Sequence, residues 1–190
     1  MLDAELAHRL RLVGFDVDGV LTDGGVYLGR VGDHAVELKR FDIQDGLAVK
    51  LLRAAGITVV LVSGRVSEAT TLRAREIGVD DVVQDDAAQK LPAFEAILTR
   101  RGIGFDQCAF AGDDLADLPL LTRVAFPIAV ANAVAEVKAA ARHITTAPGG
   151  RGAAREIAET ILKARGAWDG LVRQYLEERG DAARHDARSR

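Results

Sequence analysis

Three short apolar runs in this chain each end on side chains that can do chemistry. Leu10 to Val17 runs into Asp16-Val-Asp18-Gly, Ile57 to Val62 into Ser63-Gly64-Arg65, and Cys108 to Ala111 into Gly112-Asp113-Asp114. Asp16 and Asp18 are two apart, which on an extended chain turns both carboxylates to one side. Like charges that close repel, and a cation beside them relieves the repulsion. The donors are all oxygen, with no His or Cys nearby, so magnesium suits the site better than zinc, and Asp113 completes the set. A carboxylate can also attack phosphorus and form an aspartyl-phosphate. A second carboxylate, slightly off-line, can protonate the leaving oxygen and later deprotonate water. Lys90 could bridge the nucleophile and the transferring phosphoryl group. Ser63 and the amides after it can donate to phosphate at a helix N-terminus, and Gly64 keeps that backbone approachable.

These groups need a scaffold that brings strand ends together. Short apolar runs alternate with helical ones, the pattern of βαβ units. The reading is an α/β fold with a Rossmann-like parallel sheet and helices on both faces. Strands are expected over Leu10–Val17, Ile57–Val62, Asp81–Val83, Cys108–Ala111, Ala125–Val130 and His143–Thr145. Helices are expected from Asp45-Gly46 to the Gly56 stop, and over 67–77, 89–101, 134–141 and 152–164. Between the first two strands, Val26–Leu28 and Ala35–Phe41 read as a β-hairpin flap. In open α/β sheets ligands bind beyond the carboxyl ends of the strands, where the three polar ends would converge on one crevice.

The chain has 190 residues, 48% of them apolar and 28% charged, with a net charge of −3. That composition excludes wholesale disorder, and the charge supplies no basic field for nucleic acid. Cys108 is the one cysteine; it lies in an apolar run and reads as a core thiol. The N-terminal segment is broken by Asp3, Glu5, His8 and Arg9, and no apolar run approaches membrane-spanning length. A cytoplasmic protein with no membrane partner is expected. The four histidines, His8, His34, His143 and His185, fit no ligand spacing. Residues 1–166 read as one domain and 167–190 as a polar tail, with an amphipathic piece around Trp168–Leu176.

The segments DVDGVLTDG, VVLVSGR, Lys90 and AGDDLAD resemble, in order and spacing, the four motifs of the haloacid dehalogenase superfamily of phosphatases. The stretches LTDGGVYLG, ELKRFDIQDG, GDDLADLP and PGGRGAAREI narrow the resemblance to the 3-deoxy-D-manno-octulosonate 8-phosphate phosphatases, over roughly residues 10–165. The resemblance implies Asp16 as nucleophile and magnesium ligand, and Asp18 as general acid/base that also ligates through its backbone carbonyl. It implies Asp113 as the remaining protein ligand, with Asp114 and Asp117 behind it or on water. Lys90 and Ser63 would hold the phosphate.

Superfamily members often carry a cap domain after the first or second motif. Here the segment from Asp18 to Ser63 has room only for the flap and one helix, and that from Ser63 to Lys90 only for a helix and a short strand. The protein is therefore expected to be capless and open as a monomer. The resembled family closes its sites as a homotetramer, with Val26–Leu28 suited to burial and the tail a candidate lid on a neighbour. For the sugar acid, the resemblance points to Asp42, Ile43, Gln44, Asp45, Gly46, Lys50, Arg65 and Arg73, with Gly64 in the phosphate turn. Relatives commonly have a basic residue where this chain has Gln44, which keeps a nine-carbon keto-sugar acid 9-phosphate open as substrate beside the eight-carbon 8-phosphate. A non-catalytic assembly subunit on the same fold is the reading from a different class; it would lack one of the essential groups, and none is missing.

Overall fold

A computed structural model of the chain describes residues 2–180; His185 and the charged run ending at Arg190 lie outside the described residues. Six strands form one parallel sheet: β1 (Leu12–Phe15), β4 (Thr58–Ser63), β5 (Asp81–Gln84), β6 (Cys108–Gly112), β7 (Phe126–Ala129) and β8 (His143–Ile144). They lie in the order β5-β4-β1-β6-β7-β8. β1 is central, with Phe15 in register with Leu61 of β4 and Ala111 of β6. β1, β6 and β7 are buried along their whole length. That is why they read as continuous apolar runs and not as alternating ones.

Helices α2 (Ile43–Ala54) and α3 (Glu68–Ile77) connect strands on one side of β1, and α4 (Lys90–Arg101), α5 (Leu118–Leu121) and α6 (Ala135–Ala140) serve the other. The direction of crossover reverses at β1, so the right-handed rule puts the two sets on opposite faces. α7 (Ala153–Ala164) packs along α2, and α1 (Ala4–Arg9) along α7. Phe94 of α4 and Phe110 of β6 meet edge-on, 5.7 Å between ring centres, over Gly14. A side chain at Gly14 would sit 2.6 Å from the Phe110 ring, so the glycine in β1 is the space that ring occupies.

The hairpin is present as β2 (Tyr27–Val31) and β3 (His34–Leu38), turning at Gly32-Asp33. It stands clear of the sheet, with Leu28 78% exposed. Within the described residues there is no insertion of cap size after either of the first two motifs.

Some boundaries differ from expectation. The first strand is only Leu12–Phe15, because residues 17–22 turn back: the amides of Val20, Leu21 and Thr22 all donate to the Val17 carbonyl. α2 starts at Ile43, two residues early, because Asp42 accepts the Gln44 amide at 2.8 Å and caps it. α1 and α5 are too short for periodicity to reveal; α1 is held by its Asp3 cap and by Arg165, which donates to the carbonyls of Ala7, His8 and Leu10. The amphipathic piece of the tail is α8 (Trp168–Glu177), whose Trp168 ring lies under Arg155, 4.9 Å away, and Lys163, 5.4 Å away.

Candidate active site

The C-terminal ends of β1, β4 and β6 converge, and the central strand carries the centre of the site. Asp16 follows β1 directly; its amide donates to Ala111 of β6 at 3.0 Å, which fixes the carboxylate against the sheet. Lys90 opens α4 and points its buried ammonium at Asp16 Oδ1, 2.6 Å away, and at Asp117 Oδ1, 2.7 Å away. Asp117 is fully buried, and its other oxygen accepts the amides of Asp113 at 3.0 Å and Asp114 at 3.3 Å. Both oxygens of Asp117 are therefore spent on holding the loop after β6 and the lysine. Gly112 makes this possible, since a side chain there would lie 2.5 Å from the Asp117 Cβ.

Asp16, Asp113 and Asp117 each bring a carboxylate oxygen within 4.8 Å of the others. Three carboxylates against one ammonium leave a surplus of negative charge in a buried place. Burial, then the Asp117 charge, hold the Asp16 carboxyl well above the ordinary carboxylate range, although Lys90 pulls the other way. Burial, then Asp117, push Asp113 up to about 6. Burial works against the charge of Lys90, yet Asp16 and Asp117 together hold its pKa above the ordinary lysine value. Asp113 Oδ1 is buried with no hydrogen-bond partner. An all-oxygen donor set, an orphaned carboxylate oxygen and uncompensated negative charge are what a small divalent cation fits. Asp16 and Asp113 have oxygens to spare for it, whereas Asp117 does not.

Asp18, expected beside Asp16, is not among the three carboxylates that converge. The turn at 17–22 ends the two-residue alternation, and Asp18 faces the flap, where Lys39 Nζ lies 2.8 Å from Oδ1 and 2.9 Å from Oδ2. The third side chain of the carboxylate cluster is Asp117. Asp114, expected near it, is exposed and caps a short turn by accepting the Leu115 amide at 2.7 Å. Ser63 is buried at the end of β4, and its hydroxyl is engaged by its own loop, donating to Arg65 O at 3.1 Å and accepting the Arg65 amide at 3.2 Å. That turn presents Gly64 beside Lys90, the lysine Cε 3.6 Å from where a Cβ would stand.

The residues expected at the sugar surface divide. Arg65 stays with the catalytic loop and pairs with Glu37 of the flap at 2.9 Å. Asp42, Asp45, Gly46 and Arg73 also serve helix packing, with Gly46 and Arg73 at the edge of a cleft. Asp45 is buried and accepts the amides of Gly152 at 3.3 Å and Arg155 at 2.9 Å, so it caps α7 from across the chain. The residue before α7 is Gly152, which has no side chain to do this itself. Arg73 is buried, donates to Asp42 O at 2.6 Å and to Glu76 at 2.9 Å, and lies against the absent side chain of Gly46. Ile43, Gln44 and Lys50 are exposed along α2. With Arg73, Tyr175 and Arg179 they line a cleft between α2 and α8. Asp45→Ala is expected to cost about 1–2 kcal/mol of stability through the lost cap. Urea unfolding measures that cost; a KM for substrate that changes along with it would return Asp45 to the binding surface.

Sequence reasoning missed Lys39 and Glu37 and undervalued Asp117. The only signal was Glu37 and Lys39 standing two apart in an alternating hairpin strand, a pattern a solvated edge also shows. The backbone of the site is built with equal strictness. Gly19 has φ +91°, and a side chain there would overlap Asp113 Oδ2. The Gly19 carbonyl accepts Asn132 Nδ2 at 2.9 Å, and Gly149 packs against the same carbonyl. Gly19→Ala is expected to displace Asp113 and lower kcat/KM on the order of 10²-fold, the cost of a displacement near 1 Å. The same variant should lose the rise in melting temperature that magnesium gives the parent, a readout independent of turnover.

This sheet, with its acidic centre fed by three strand ends and no cap among the described residues, defines the class: a haloacid dehalogenase-like hydrolase, whose family model matches residues 81–157. The 3-deoxy-D-manno-octulosonate 8-phosphate phosphatase of Escherichia coli is 36% identical over 163 residues, 86% of this chain and 85% of that protein. A crystal structure of 3-deoxy-D-manno-octulosonate 8-phosphate phosphatase from Moraxella catarrhalis, in complex with magnesium, phosphate and a KDO molecule, is 35% identical. It matches with a TM-score of 0.84 over 90% of this chain and 97% of that one. The cobalt-bound phosphatase from Haemophilus influenzae is 34% identical with a TM-score of 0.76, over 85% and 92% of the two chains. The chain belongs to the 3-deoxy-D-manno-octulosonate 8-phosphate phosphatase family, and it is a phosphatase.

Proposed function

We propose that the protein hydrolyses 3-deoxy-D-manno-octulosonate 8-phosphate to the free sugar acid and phosphate, with magnesium, through an aspartyl-phosphate on Asp16. The observation that carries this reading is Asp16, buried at the end of the central strand, with Lys90 at 2.6 Å and Asp113 beside it, in a chain 36% identical to a phosphatase of that substrate. Asp16 Oδ2, the oxygen not held by Lys90, attacks phosphorus while the bond to the sugar oxygen breaks. Asp18 gives that oxygen its proton. Asp18 then takes a proton from water, the water oxygen bonds to phosphorus, and the bond to Asp16 breaks, which returns both carboxylates to their starting state. The Lys90 ammonium and the amides of the turn after Ser63 neutralise the phosphoryl oxygens. Asp16, Asp113 and the Asp18 backbone carbonyl would hold magnesium, which when bound offsets the charge of nucleophile and phosphate.

The measurement that tests this is phosphate release from the eight-carbon substrate, with magnesium and with EDTA, beside a panel of other sugar phosphates. A strong preference for the eight-carbon ester that EDTA abolishes is expected. Weak hydrolysis across the whole panel would overturn the substrate, and activity undiminished by EDTA would overturn the metal. The family resemblance also carries a homotetramer in lipopolysaccharide precursor synthesis, while the chain's own residue pattern supports a cytoplasmic protein with residues 1–166 as the phosphatase domain and the amphipathic piece around Trp168–Leu176 as a lid on a neighbour. The exposed apolar side chains of the flap, Tyr27, Leu28, Val31 and Leu38, support the assembly, since an open monomer leaves them in water.

A further inference from the structure

We propose that Lys39 is the positioning residue for Asp18, setting from the base of the flap the direction in which that carboxylate meets the leaving group. The inference rests on the reading of Asp18 as acid and base. Lys39 Nζ donates to Asp18 Oδ2 at 2.9 Å and forms an ion pair with Oδ1 at 2.8 Å, an oxygen that accepts no hydrogen bond. The lysine cannot swing away: its side chain is fully buried, with Thr70 Oγ1 at 3.4 Å and Glu37 Oε1 at 3.5 Å. Glu37 is itself held, accepting the Ser67 hydroxyl at 2.6 Å and Arg65 Nη2 at 2.9 Å. A continuous set of contacts thus runs from Asp18 through the flap to the loop that follows Ser63.

Stability alone gives little reason for this arrangement. A buried ion pair is often no more stable than well-packed apolar side chains of similar volume. Asp18 lies on a turn and is 22% exposed, so without Lys39 its carboxylate is free to rotate. The two catalytic carboxylates are two residues apart, yet each has its own lysine, Lys90 for Asp16 and Lys39 for Asp18. This divides the labour between them: the first is kept as nucleophile beside Asp113, the second is kept out of that cluster and turned toward the flap.

The test exploits the one step in which an acid matters. A sugar phosphate loses an alkoxide that needs a proton, whereas p-nitrophenyl phosphate loses a stabilised phenolate that does not. Comparing kcat/KM for the two in the intact chain isolates phosphoryl transfer to Asp16. Asp18→Asn, lacking the proton donor, is expected to depress the sugar phosphate at least 30-fold more than the aryl ester, within the usual range for general acid catalysis. Lys39→Met is expected to reproduce most of that split, and Lys39→Arg to recover part of it by returning the charge. If Lys39→Met does not fold, Lys39→Gln provides the same comparison. Equal losses on both esters in the Lys39 variants, with the split present in Asp18→Asn, would make Lys39 structural and overturn the inference alone. No split in Asp18→Asn would overturn the acid role of Asp18, and the inference with it.

Discussion

Replacing Asp16 by Asn is expected to abolish turnover, by about 10⁴–10⁶-fold as for loss of other catalytic nucleophiles, while the protein melts no lower than its parent. The amide cannot form the acyl phosphate, and Asp117 cannot stand in, because it is spent on Lys90 and two backbone amides. The stability half of the result follows from electrostatics. In the fold the Asp16 carboxyl is held well above its ordinary pKa, burial first and Asp117 second. For an acid whose folded pKa is raised, stability falls as pH rises from the ordinary carboxylate range to the folded value, and the full penalty applies above that. A neutral amide removes the penalty, and Lys90 keeps its pair with Asp117. Phosphate release and thermal melting, the latter in EDTA at neutral pH, check the two halves separately. Residual turnover near the parental level would remove Asp16 as nucleophile, and a marked loss of melting temperature would show that its charge holds the fold together.

Replacing Lys90 by Met should do the opposite to stability. The volume is nearly conserved, so packing changes little, but Asp16 and Asp117 lose the ammonium that compensates them. Removing one partner of a buried ion pair costs about 3–5 kcal/mol. In a domain of this size each kcal/mol moves the melting temperature by about 2–4 °C, so a drop on the order of 10 °C is expected. Activity should fall about 10²–10³-fold, the cost of losing one well-placed charge on the developing phosphoryl oxygens. Two further measurements separate the effects. Magnesium should stabilise the variant more than it does the parent, because its charge replaces some of what was lost. Adding Asp117→Asn should restore melting temperature by removing one orphaned carboxylate, without restoring turnover. A lysine variant that melts with the parent would show that Lys90 does not compensate the cluster.

The contrast between these variants separates two kinds of information in the chain. Motif residues were legible because they sit at the ends of strands, and a buried parallel strand is a continuous apolar run that sequence displays directly. Hence β4, β6 and β7, and the polar groups that follow β1, β4 and β6, stood within a residue or two of their expected places. The absence of a cap among the described residues was legible as simple arithmetic on chain length. α1 and α5 were not, since six and four residues span too little of a helical period to announce themselves. Cys108 is a core thiol, as its apolar run predicts: burial pushes it up to about 12, too high for a nucleophile.

What sequence alone determined, then, is the class of chemistry and the scaffold under it: acidic groups beyond a parallel sheet, a lysine and a serine turn beside them, and an open flap. What only the tertiary structure decided is which charge meets which. Asp18 parts from Asp16 because a tight turn ends the strand's alternation after Phe15. Asp117 joins the cluster because a turn after β6 folds it back on the amides of 113 and 114. Asp45 caps a helix beginning more than a hundred residues later because that helix has a glycine where its own cap should be. Lys39 is buried against a carboxylate from a different loop. Periodicity reports which face of an element is buried, because that depends on neighbours a few residues away. It carries no record of partners brought together by chain crossovers, and in this site those partners set every charge.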